Sequence, residues 1–199
     1  MKKMLMCGLA ALSLLGAGCV FSRNDYVEIV EFDLELPKRA ENAPAVRIGV
    51  FKNLSGADRR FLLRQGDGQV VSLEYQRWRL APELLLMRCI FGALDIGPDR
   101  DVKLPRLSAV IYRFEFDKRD DKAHLSVDFF MPDFRDPASA GKASQPHPVT
   151  IRCDAAVPVK KSGDMAAARA AAMSECARLA VEKLSAEMNA KTVRKADKK

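Results

Sequence analysis

Cys19 is the residue whose surroundings most clearly call for chemistry. Lys2 and Lys3 form a basic head, and Met4 to Leu15 is an apolar run broken only by Cys7 and Ser13. Gly16, Ala17 and Gly18 then lead directly to Cys19. A basic head, an apolar stretch and small residues at a cleavage point make a secretory signal. The apolar run is shorter than the ~20 residues a membrane-spanning helix needs. Cleavage after Gly18 leaves the Cys19 thiol on the first residue of the mature chain. A free thiol there is exposed and reactive, and acylation consumes it.

The remaining reactive side chains show no such organisation. Cys89, Cys153 and Cys176 sit among apolar neighbours, with no paired spacing and no C-x-x-C. That pattern is neither a disulfide framework nor a zinc site. Small buried thiols are the simplest reading, and one bridge among the three stays open. The two histidines, His124 and His147, have no Cys, Asp or Glu at metal-ligand spacing. Asp117, Asp120 and Asp121 lack the Gly and final Glu of a calcium loop. Gly66-Asp67-Gly68 is too short to cradle phosphate and reads as a turn. No G-x-S-x-G, H-E-x-x-H, P-loop or G-x-G-x-x-G occurs. The expectation is therefore no catalytic residue, no metal, no cofactor and no enzyme.

The order around Cys19 resembles a bacterial lipobox, in which the thiol receives a diacylglycerol and the new amino terminus is acylated. Gly16 stands where that motif usually has Leu, with Leu15 one step further back. The resemblance implies a signal peptide over 1–18, lipidation at Cys19 and a tether over 19–25. A soluble domain over 26–188 and a basic disordered tail over 189–199 complete the expected organisation. Each buried acyl CH₂ adds ~0.8 kcal/mol of membrane affinity, so three chains hold a protein almost permanently. Val20, not Asp, follows the cysteine, which resembles sorting to the outer membrane.

The 199 residues less the 18 of the signal leave 181, enough for one domain with a sizeable core. Net charge is +7, or about +5 without Lys2 and Lys3, and much of the excess lies in the last nine residues. An exported chain makes nucleic acid an unsuitable partner for that charge.

These features need elements to carry them. Period-two alternation predicts strands over Tyr26–Leu36 and Ala45–Lys52, the second with Val46, Ile48 and Val50 on one side. Arg59–Arg64 and Gln69–Tyr75 flank Gln65-Gly66-Asp67-Gly68, a hairpin signal. Trp78–Leu94 predicts a helix, with Pro82 and Glu83 in favourable early positions. Leu104–Phe116 and Ala123–Met131 predict a second strand pair around the charged 117–122 turn. A loop over 132–148 and a strand over Val149–Val159 follow. An Ala-rich helix over Met165–Met188 carries Cys176, Leu179, Ala180, Leu184 and Met188 as a stripe. Strand groups each followed by a helix predict an α/β two-layer sandwich, a mixed β-sheet with two main helices on one face.

FLLRQGDGQVVSLEYQRWRLAPELLLMRCI, Phe61 to Ile90, resembles the ABC-type transport auxiliary lipoprotein family (PqiC-like). The features that match are Arg64 ending a strand, the Gly66–Gly68 turn, Tyr75, and Trp78 ahead of a Leu-rich helix. Phe32 to Pro37, Leu107 to Phe116 and the Ala-rich final helix resemble the family's opening strand, middle strands and last helix. Leu54 to Arg60 departs from the family's usual proline and aromatic-leucine. The resemblance implies an outer-membrane lipoprotein, facing the periplasm, with MCE-domain and ABC transporter partners in intermembrane lipid transport. The other readings are a structural envelope lipoprotein unrelated to transport and an envelope enzyme. Exposed strand edges leave room for a homo-oligomer.

Overall fold

Alternating apolar residues and turn formers divide the chain into eight strands and two helices among the described residues. The computed structural model describes residues 27–39, 42–99, 101, 104–131, 148–158 and 164–196. The strands are β1 (Val30–Phe32), β2 (Ala45–Asn53), β3 (Arg60–Arg64), β4 (Val70–Trp78), β5 (Asp95–Ile96), β6 (Arg106–Asp117), β7 (Lys122–Phe130) and β8 (Val149–Ala156). The helices are α1 (Pro82–Ala93) and α2 (Met165–Ala196). The expected signal and tether, the 132–147 stretch and His147 lie outside the described residues.

One mixed sheet contains all eight strands. β6 is its hub. β7 lies antiparallel on one edge of β6, and β8 lies antiparallel beyond β7. The other edge is shared by β2 and β3, which run one after the other parallel to β6, from Arg47 opposite Arg106 to Arg64 opposite Asp117. β4 returns antiparallel to β3, and β1 adds in parallel at the far side of β4. β5 extends the other arm, parallel to β2.

The step between β2 and β3 is built by side chains. The Ser55 N–H donates to Asn53 Oδ1 at 3.0 Å, and the Ala57 N–H donates to Ser55 Oγ at 3.2 Å. Gly56 takes a φ of +77°, which favours glycine. In the β3–β4 turn, Gly68 does the same at +92°, and its N–H donates to the Gln65 carbonyl at 3.0 Å.

Both helices cover one face of the sheet, α2 over β7 and β8, α1 over β2 and β6. Leu85, Leu86, Cys89 and Ile90 of α1, with Met173, Cys176, Ala180, Leu184 and Met188 of α2, are fully buried there. Facing them are Leu107, Ala109, Ile111, Phe114 and Phe116 of β6, and Leu125, Val127 and Phe129 of β7. This is the expected α/β sandwich.

Four boundaries differ from expectation. Trp78 ends β4 and does not head α1, because the residue before a proline is pushed from helical backbone. Ala81 is accordingly extended (ψ 151°), and Pro82 takes an initial helical position. Among the described residues of the expected Tyr26–Leu36 strand, only Val30–Phe32 is a strand. The chain then leaves the sheet to cross the helices, burying Leu34, while Glu35 N–H donates to Ser174 Oγ of α2 at 3.1 Å. Val50 is exposed, because the β2–β6 register slips between Ile48 and Phe51. α2 continues to Ala196, through residues expected to be a disordered tail. No helix of the described residues is long and apolar enough to cross a membrane.

Candidate functional site

Three surface features gather polar groups, and the first is placed by a local irregularity of the sheet. On β6, alternation alone cannot bury Leu107, Ala109 and Ile111 together with Phe114 and Phe116. A bulge resolves this. The register with β7 steps from Ile111–Val127 to Arg113–Ser126, leaving Tyr112 as the extra, half-exposed residue. Beyond the bulge Arg113, Glu115 and Asp117 alternate with the core phenylalanines, towards the face without helices.

Glu115 and Asp117 are nevertheless only 4% and 3% exposed. Arg64 grips Glu115 with two hydrogen bonds, Nε to Oε1 at 2.8 Å and Nη2 to Oε2 at 3.0 Å. Arg113 bridges the two acids, Nε to Glu115 Oε1 at 2.5 Å and Nη2 to Asp117 Oδ2 at 3.3 Å. Arg119 closes on Asp117 through Nη2 at 2.6 Å, Nε at 3.0 Å and its backbone N–H at 3.0 Å. Burial pushes the Glu115 carboxyl up, but the Arg64 and Arg113 hydrogen bonds outweigh it, leaving the pKa below its ordinary value. The Arg119 hydrogen bond holds the Asp117 carboxyl far below its own. Carboxylates gripped in this way are firmly ionised. They suit a rigid charged ladder and are poor proton acceptors at neutral pH.

His124 of β7 lies beside this ladder, almost buried. Its Nδ1 is 2.8 Å from Asp154 Oδ1 of β8, and its Nε2 is 3.2 Å from Asp120 Oδ2 of the β6–β7 turn. This corrects the expectation that His124 has no acid at ligand spacing. Asp120 is four residues away in sequence, and strand pairing supplies Asp154 opposite His124. Asp117, Asp120 and His124 offer ligand atoms within 4.8 Å of one another. The Asp117 oxygens, however, are already committed to Arg119 and Arg113, so the set does not fit a metal. A cleft of about 460 Å³ opens over Arg64, Arg113, Glu115, His124 and Arg152.

The second feature is a cleft of about 410 Å³ where residues 35–38 pass α2, floored by Ala171, Ser174 and Val181. Gly92 permits this crossing, since a Cβ there would lie 3.2 Å from the Pro37 carbonyl oxygen. Arg178 stands at its rim, bound to Glu175 at 2.6 Å and to Glu182. The third is a groove of about 320 Å³ over Asp58, Arg59, Arg60 and Arg77, at the β3–β4 end next to β1.

The thiols are placed as inert packing groups. Cys89, Cys153 and Cys176 are buried and free. Burial pushes Cys89 and Cys176 up to about 12 and raises Cys153 as well. Cys176 Sγ donates to the Ala123 carbonyl at 3.3 Å, tying α2 to β7. Cys19 lies outside the described residues. Trp78 is 1% exposed. Its ring lies 4.3 Å from Phe61 and 5.3 Å from Phe114, centroid to centroid, an aromatic cluster inside the core.

No family model matches the chain, and no curated protein matches it. Solved structures do share its fold. A crystal structure of an uncharacterized protein superposes with a TM-score of 0.55 at 10% identity, covering 79% of this chain and 97% of that one. The crystal structure of protein XCC0632 from Xanthomonas campestris, described under the family DUF330, superposes with a TM-score of 0.54 at 12% identity. It covers 84% of this chain and 99% of that one. At these identities the likeness is one of fold.

Proposed function

We propose that this chain is a lipid-anchored envelope protein acting as the accessory component of an ABC/MCE-type intermembrane lipid transport system. In this reading it holds a protein partner at the periplasmic face of the outer membrane and carries out no reaction of its own. The observation that carries it is Cys19, set directly after a signal sequence and ahead of a single domain. Two further features support it. The Phe61–Ile90 segment folds as a hairpin running through Trp78 into α1, the order of the family it resembles. The polar groups of the charged ladder are satisfied by one another, which suits a rigid docking body. Because a fold fixes no function by itself, the partner is the point to test. The lipidated protein, used as bait in detergent-solubilised envelopes, is expected to recover an MCE-domain protein. Repeated recovery of unrelated envelope proteins only, with normal lipid trafficking in a deletion strain, overturns the reading.

A further inference from the structure

Arg60 of β3 and Arg77 of β4 stand directly opposite each other in the sheet. Like charges in that position destabilise a strand pair, and the acid on Arg77's other side, Glu31 of β1, is shared with Arg59. Two of the arginines here are offset by acids. Arg60 binds Asp58 through Nη2 at 3.0 Å, and Arg59 binds Glu31 of β1 at 2.5 Å. Arg77 forms no ion pair among the described residues. Its Nε donates to the Glu74 carbonyl at 3.3 Å. Arg79, two residues on and exposed, has no ion pair among the described residues. Glu74, felt by Arg60 at a distance, and exposed Glu28, between Val27 and Ile29, are further acids nearby. Of these four arginines, Arg77 and Arg79 are the two without an ion pair among the described residues.

Half-exposed apolar residues flank the same edge. Val27 and Ile29 lead into β1, and Tyr75 precedes Arg77 on β4. Arginines beside exposed aliphatic and aromatic side chains suit the interface of an anionic bilayer, where each basic residue adds ~1 kcal/mol of attraction. Position favours the same occupant. The eight residues from Cys19 to Val27 reach about 28 Å at full extension. A chain anchored at Cys19 therefore keeps the residues leading into β1 within that reach of its membrane.

We infer that the Arg59–Arg60–Arg77 groove, with Arg79, Val27, Ile29 and Tyr75, docks onto the anionic phospholipid headgroups of the membrane holding the tether. The inference rests on the anchoring reading for its geometry, but its test does not use the anchor. The Cys19→Ser chain is mixed with vesicles of phosphatidylglycerol in phosphatidylcholine and with vesicles of phosphatidylcholine alone, and the sedimenting fraction is measured. Partition onto the phosphatidylglycerol vesicles is expected, weakening at high salt. Arg77→Gln and Arg79→Gln should each lower the partition coefficient roughly fivefold, the factor for one cation near such a surface. Arg77→Gln should leave the melting temperature nearly unchanged, since it removes both a repulsion from Arg60 and an attraction to Glu31. Should Arg77→Gln misfold, Arg79→Gln alone carries the test. Equal partition onto both vesicles, or no loss in the arginine variants, overturns the inference. So does complete competition by inorganic phosphate at matched ionic strength, which would mark a soluble-anion site. Failure of Cys19 acylation, by contrast, overturns the anchoring reading and leaves these vesicle results as they stand.

Discussion

Among the described residues, Glu115 and Asp117 are the carboxylates most deeply withdrawn from water. Their folded-state pKa values lie below the ordinary 4.5 and 3.8. The folded chain therefore binds fewer protons than the unfolded chain around those values. The stability they contribute is complete above the ordinary values and is lost as pH falls below about 4.5 through the folded ones. Acid unfolding should steepen in that window. Glu115→Gln should flatten the dependence while lowering the melting temperature at neutral pH, because Arg64 and Arg113 lose their shared acceptor. Thermal melts across the acid range check both expectations. Trp78 presents the opposite chemistry, a large apolar group with no exposed surface. Trp78→Ala should cost about 3–5 kcal/mol in urea unfolding. An unchanged unfolding curve would move Trp78 from the core to a binding role.

At the scale of elements, the bulges decide which faces meet. The phase change on β6 is visible in the sequence, since Leu107, Ala109 and Ile111 fall on odd positions and Phe114 and Phe116 on even ones. The bulge on β2 leaves no such mark, because Val50 keeps the apolar alternation while pairing turns it outward. Gly49 is its signature. A Cβ there would lie 2.9 Å from the Leu107 carbonyl oxygen and 2.2 Å from Ser108 Oγ. Gly49→Ala should therefore cost about 1–3 kcal/mol by overpacking, with partial recovery when combined with Ser108→Ala. Chemical denaturation of the single and double variants tests this. The hairpin, both helices and most strands were legible because period and turn chemistry are local signals. The brevity of β1 was not, since Leu34 is pulled from the sheet by helices distant in sequence. The contacts of His124 with Asp154, and of Arg64 with Glu115, were hidden for the same reason. Each joins strands whose neighbours are set by topology. The overrun of α2 past Met188 escaped notice because the apolar stripe of the sequence ends there, while the helix continues to Ala196.

For the whole molecule, the first test lies at the anchor. Cys19→Ser is expected to abolish lipid labelling and to move the chain from the membrane fraction to the soluble periplasm. A variant that stays membrane-bound in high salt places the anchor elsewhere. The architecture beyond that residue bears on how the molecule carries load. A pull through the N-terminal segment reaches β1 first, which is joined to β4 at only three register positions, Val30 to Phe32. Behind it stand the Arg88–Asp33 ion pair at 2.6 Å, buried Leu34 and the Glu35–Ser174 hydrogen bond. Tension would peel this short edge strand while the hub of β6, β7 and β8 stays clamped under α2. Under the proposed anchoring, this three-residue strand would be the first to yield, lengthening the leash and sparing the body of the domain.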